Sequence, residues 1–160
     1  MIAQSHASGG RLLFSSLAGL LLAIAPLPAW LAPARPDFLL LLVIYWSLSA
    51  PHIAGLLFAW LCGFGIDVLQ GPVLGQHALA FLVVGFLTHK RQLQLRIYPV
   101  AQQAAAVFVL LLVYQFILFW LDGVVGSPVT SWLRWLPTLT GALAWPLFSA
   151  SMDTWIRRRY

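Results

Sequence analysis

Asp67 is the one acid placed well inside an apolar stretch, and an unpaired carboxylate in such a setting costs several kcal/mol, which makes it a functional candidate by default. Gly55, Ala59, Gly63 and Asp67 recur every four residues. On a helix they share nearly one face, a small-residue surface that lets a second helix come close and turns the carboxylate toward protein and away from lipid. Two roles stay open for Asp67: a structural one, capping the backbone amides of the turn at Gly71 and Pro72 or pairing with His77, and contact with a ligand or partner. Gly71, Gly75, Gln76 and His77 stand where a helix restarts. They could floor a pocket, or the glycines could simply let the chain turn and pack. His77 has neither Cys nor a second nearby His to complete a metal set, so no metal is expected. Gln103 and Tyr114 are eleven residues apart, about three helical turns, and offer hydrogen bonds from one face to the bundle or to another protein's membrane helix. The single cysteine, Cys62, reads as core packing. There is no nucleophile with a paired base, no carboxylate dyad, no Gly-rich phosphate loop and no His-x-x-x-His pair, so nothing nominates an enzyme or a cofactor.

The elements that must position these residues follow from composition. Of 160 residues, 61% are apolar and 8% charged, against about 45 to 50% and 25% in soluble domains. Nine basic and four acidic side chains cannot coat a water-facing globule. Mean hydropathy is +0.89, and the chain reads as an all-α, polytopic membrane protein. The net charge of +5 does not indicate nucleic acid, because the cations sit singly or in short groups at the edges of apolar runs. Apolar runs predict six spans at about 12–31, 38–50, 53–69, 73–88, 100–121 and 135–156, forming one transmembrane domain. The Ala23-Ile24-Ala25 triplet imitates a signal-peptide cleavage site, but the apolar run resumes after Pro26, so the first segment is expected to remain as a span. Spans two to four are short: 13 residues rise only about 20 Å against a core of roughly 30 Å.

Six spans put both termini on one side. Arg11, Lys90, Arg91, Arg96, Arg157, Arg158 and Arg159 fall on that side, against Arg35 and Arg134 on the other. The excess of cations predicts cytoplasmic termini, with a basic face formed by Lys90, Arg91, Arg96 and the terminal Arg triplet. That face either touches anionic lipid or docks a cytoplasmic protein. Trp30, Trp120, Trp132 and Trp135 would then mark the outer interface, and Trp155 with Tyr160 the inner one.

The run Arg35-Pro36-Asp37-Phe38-Leu39-Leu40-Leu41-Leu42-Val43-Ile44-Tyr45-Trp46, followed by Pro51-His52, Gly63, Asp67, Gly71, Leu74-Gly75 and Ala78-Leu79, resembles the central signature of MreD, an integral membrane subunit of the bacterial rod-shape system. Gln102-Gln103 and Trp145-Pro146-Leu147-Phe148 are similar too. The resemblance is strong from about residue 35 to 87 and looser elsewhere. It implies a non-catalytic inner-membrane scaffold working with MreC, the MreB filament, the RodA glycosyltransferase and a class B penicillin-binding transpeptidase. It also implies a fold like the substrate-binding component of energy-coupling-factor transporters. The rival expectation, from a different class, is a vitamin-binding transporter subunit with Asp67, Gln76 and His77 lining the pocket.

Overall fold

The computed structural model describes residues 2–26, 28, 32–70, 73–126 and 131–157, with side chains from residue 9 to 156 of these. Gly71, Arg158, Arg159, Trp30 and Tyr160 lie outside the described residues, as does the side chain of Arg157. Among the described residues there are six α-helices and no strand: α1 (Ile2–Ile24), α2 (Phe38–Ser49), α3 (Leu56–Gln70), α4 (Gln76–Ile97), α5 (Val100–Val125) and α6 (Leu136–Arg157). Short 3-10 turns at Ala32–Ala34 and Trp132–Trp135 precede α2 and α6.

Proline placement explains most of the ends. The first helix stops at Ile24, before Pro26, because proline supplies no amide and clashes with the preceding turn. The third begins at Leu56 and not directly after Pro51. The amides of Ile53 and Ala54 both bond the Ala50 carbonyl, which makes a tight turn first. The largest difference from the sequence expectation is α4, which continues from the apolar run through His89 to Ile97 and ends just before Pro99. Nothing between 89 and 97 breaks a helix, and Lys, Arg, Gln and Leu all favour one. Lys90, Arg91 and Arg96 therefore stand exposed on its last turns and not in a loop. At 22 residues this helix is about 33 Å long, its last turns polar and charged.

The short helix α2 has a different answer. Every residue from Leu39 to Leu48 is buried, and α2 packs on α1, α3, α4 and α6. A helix that is apolar all round needs neighbours on every side, and here those neighbours are protein. Its 12 residues rise only about 18 Å, but its ends meet loops of the same chain. The other helices carry the exposed apolar surface: Leu13 and Leu17 on α1, Leu57 and Leu61 on α3, Phe116 and Trp120 on α5, Leu143 and Leu147 on α6. One helix, α5, has 26 residues and a mean hydropathy of 2.5 in its best window, long and apolar enough to cross a membrane.

Small residues set the closest approaches. A Cβ on Gly63 would lie 2.5 Å from the His77 carbonyl oxygen and 2.7 Å from the Ala78 Cα, both backbone of α4. One on Gly85 would lie 2.7 Å from the Ala59 Cβ. Position 63 thus faces 77 and 78 while position 59 faces 85, which makes α3 and α4 antiparallel. The face carrying Ala59, Gly63 and Asp67 is covered by α4. Gly55 precedes α3 and has open space where a Cβ would stand. Gly63→Ala is expected to lower stability by about 1 to 3 kcal/mol, because backbone cannot move aside as a flexible side chain does. Gly55→Ala is expected to leave it unchanged. Thermal unfolding of the two purified variants checks the contrast.

Candidate functional site

The Asp67 side chain is fully buried one helical turn beyond Gly63, at the end of α3 where α4 begins. The amides of the first turn of α4 need acceptors, and the residue at the cap position, Gly75, has no side chain to supply one. Gly75 stands at φ +98°, a left-handed conformation that favours glycine. The neighbouring helix provides the cap. Asp67 Oδ2 accepts from the amides of Gly75 and Ala78, each at 3.0 Å. Asp67 Oδ1 accepts from the His77 amide at 2.9 Å and lies 2.8 Å from His77 Nδ1. The positive end of the helix macrodipole favours the same charge. The amides that Asp67 caps are those of Gly75, His77 and Ala78, while Gly71 and Pro72 lie outside the described residues.

Beside this clasp lies a cavity of about 110 Å³ lined by Arg35, Asp37, Gln70, His77 and Tyr114, with Ala23, Pro36, Phe38, Leu39 and Ile66 as its apolar walls. Tyr114 is buried and packs edge-on against Phe81 at 5.7 Å. Gln70 Nε2 donates to the Ala23 carbonyl, and Arg35 donates to the Ala25 carbonyl at 3.1 Å. Asp37 occupies the N-cap position of α2 without capping it. It forms no ion pair among the described residues. Loss of solvation pushes its carboxyl up from 3.8 to about 6, opposed by the nearby charges of His77 and Arg35. Gln76 is turned away from this cavity and donates to Asp122 Oδ1 at 2.5 Å, and Arg134 pairs with the other oxygen of the same carboxylate.

At the opposite end of the bundle, Gln103 donates to the Leu95 carbonyl at 2.9 Å and accepts from Trp145 Nε1 at 3.4 Å, tying α4, α5 and α6 together. Asp153 accepts from the Tyr45 hydroxyl. Gln103 and Tyr114 thus serve different ends of α5. The residues that sequence reasoning passed over are Arg35 and Asp37, seen only within a resembling motif and as an edge charge, and the Asp122–Arg134 pair. An acid and a cation two residues apart at the mouth of an apolar run was the available signal for the first. Among the described residues no three His, Cys, Asp or Glu side chains are placed to hold a metal.

The comparisons with known proteins agree on one family. The model described as rod shape-determining protein MreD matches residues 9–154. The rod shape-determining protein MreD of Haemophilus influenzae is 26% identical over 125 residues, covering 78% of this chain and 77% of that protein. The chain belongs to the MreD family, whose members are membrane proteins that determine rod shape. No solved structure matches it, and the expected likeness to the substrate-binding component of energy-coupling-factor transporters has no support there.

Two stability changes follow from the site. Asp67→Asn keeps one acceptor but loses the charge, so it should lower stability by about 2 kcal/mol, read as a lowered thermal midpoint in detergent or nanodiscs. Asp37→Asn should do the reverse above neutral pH. The folded protein holds the Asp37 proton more tightly than the unfolded chain does, so the carboxylate costs nothing below pH about 4 and its full amount above about 6. The asparagine variant should match wild type at pH 4 and exceed it at pH 8 by at most about 3 kcal/mol. Paired unfolding curves at the two pH values check it.

Proposed function

We propose that this MreD-family chain is a non-catalytic, six-span scaffold of the rod-shape machinery in the inner membrane, with both termini cytoplasmic, and that it works by seating the membrane helix of MreC. The observation that carries this is a cleft of about 200 Å³ where α1 and α6 meet over α2. It is lined by Phe14, Ser15, Ala18, Gly19 and Leu22 of α1, Phe38 and Leu42 of α2, and Phe148, Met152 and Trp155 of α6. Phe14 stacks on Trp155 at 6.2 Å. The lining is apolar except for Ser15, whose hydroxyl is already engaged by the Leu12 carbonyl and by Trp46 Nε1.

A partner for such a cleft is a helix and not a headgroup. The lined stretch runs from 14 to 22 on α1, about 12 Å along the axis, and Ala18 and Gly19 give it a shallow floor of the kind that lets helices approach. The small-residue face of α3 is engaged by α4, which leaves the α1/α6 seam as the better lateral site for a partner helix. Six spans fit the exposed apolar side chains on α1, α3, α5 and α6. Lys90, Arg91 and Arg96 would then face the cytoplasm, where MreB or anionic lipid meets them. RodA and the class B transpeptidase would join through the MreC complex. The vitamin-transporter reading finds less support: Asp67 and Gln76 are spent on structural bonds, and a cavity of about 110 Å³ falls short of the roughly 300 to 1,000 Å³ of small-molecule pockets.

Ala18→Trp fills the cleft and is expected to abolish MreC co-purification and round up rod-shaped cells while the protein stays folded. Leu143→Trp, on an exposed part of α6 away from the cleft, should leave both unchanged. Unaltered MreC recovery with Ala18→Trp overturns the assignment.

A further inference from the structure

Asp37 is a group the scaffold role leaves unused. Its carboxylate neither caps α2 nor pairs with Arg35 two residues away, although both border the same cavity. The cavity offers several acceptors and one flanking cation. The acceptors are the Asp37 carboxylate, the Tyr114 hydroxyl and the oxygen of Gln70, whose nitrogen is bonded to Ala23. A guest must therefore bring several N–H donors on one compact centre, which is the description of a primary ammonium with its three. Arg35 bonds one carbonyl through a single nitrogen and keeps further donors for an anionic oxygen beside that ammonium.

We propose that this pocket binds the ammonium end of a phosphoethanolamine group, with Arg35 on its phosphate, and that its source is an aminophospholipid of the outer leaflet. At about 110 Å³ the cavity is several times the ~30 Å³ share of a liquid water molecule. That admits an ammonium and its first carbons, while the phosphate stays at the rim. The pocket lies at the end of the bundle where α2 starts and α3 ends, the outer interface in the proposed orientation, and Ala23 of α1 forms part of its wall. A quaternary ammonium has no N–H to give and presents three methyl groups to the same acceptors. The site should therefore reject choline headgroups and anionic glycerol headgroups alike. This rests on the membrane placement above and is independent of the MreC contact.

The test uses the full-length protein in nanodiscs of equimolar phosphatidylethanolamine, phosphatidylcholine and phosphatidylglycerol, followed by release into detergent and native mass spectrometry of retained lipid. Wild type should retain the ethanolamine lipid about tenfold over the choline lipid, the size of one charge-assisted hydrogen bond. Asp37→Asn should lose that preference and Arg35→Gln should weaken it, with circular dichroism showing both variants folded. Millimolar soluble phosphoethanolamine is the second arm. Retention of the ethanolamine lipid in its presence supports the lipid source, and its displacement overturns the lipid source in favour of the soluble group. An Asp37→Asn lipid profile equal to wild type overturns the pocket itself. MreC recovered from the same preparations is scored separately, so its absence alongside an intact ethanolamine preference removes the scaffold reading alone.

Discussion

A carboxylate buried among helices must be surrounded by donors, and a helix start buried among helices must be surrounded by acceptors. Asp67 and the first turn of α4 meet both demands with one set of bonds. The consequences spread from there. Because the cap comes from another helix, α4 must begin beside the last turn of α3, and the two run antiparallel. Because the bonds are about 3 Å long, the backbone of residues 77 and 78 lies against α3 one turn below, where only a missing side chain leaves room, and that position is Gly63. The same clasp takes up His77 Nδ1, and His77 also lines the adjoining cavity. A small-residue stripe, a helix register and the chemistry of a pocket are joined through one acid.

The second constraint is geometric. With α2 buried from Leu39 to Leu48, the bundle is a set of helices wrapped on a central one, and the wrapping helices carry a buried inner stripe and exposed apolar side chains outside. Contacts run from α1 through α3, α4 and α5 to α6. The wrapping is least complete between α6 and α1, where the cleft opens onto Phe38 and Leu42 of α2 itself. Burying a Leu-sized side chain is worth about 1.5 to 3 kcal/mol in water. Inside a bilayer that driving force between helices is absent, and close packing with polar ties takes its place. Gly19 against Leu39 and Gly141 against Leu111, Trp46 to Ser15 and Gln103 to Leu95 are such contacts.

Much of this was legible in the sequence, and the limits have physical causes. The number of helices and the breaks at Pro26, Pro51 and Pro99 follow from apolar runs and proline chemistry. Apolar runs end the fourth span at residue 88 and do not show the extension of α4 through residue 97, because Lys and Arg are good helix formers and charge only decides where along its length a helix leaves the apolar phase. Four-residue spacing of Gly55, Ala59, Gly63 and Asp67 announced a close approach but not its mate. Periodicity identifies a face and is silent on what covers it, and here the cover for the last three is α4 of the same chain. Asp37 escaped notice for a related reason. It stands at a junction between elements, where no periodicity applies, and its significance depends on His77 and Tyr114, forty and more residues away.

The distribution of satisfied and unsatisfied groups separates maintenance from function. Asp67, Gln76, Asp122, Gln103 and Asp153 all have partners within the chain, and each ties two or more helices. Such bonds make a bundle stiff and leave it with little reactive chemistry. Among the features left over are an apolar seam between α1 and α6 and a small cavity around Asp37, whose charge is held at a cost in stability. In the proposed reading, a stiff body of this kind acts by holding partners in place relative to each other and to the membrane. That reading fits a chain belonging to a family that determines rod shape.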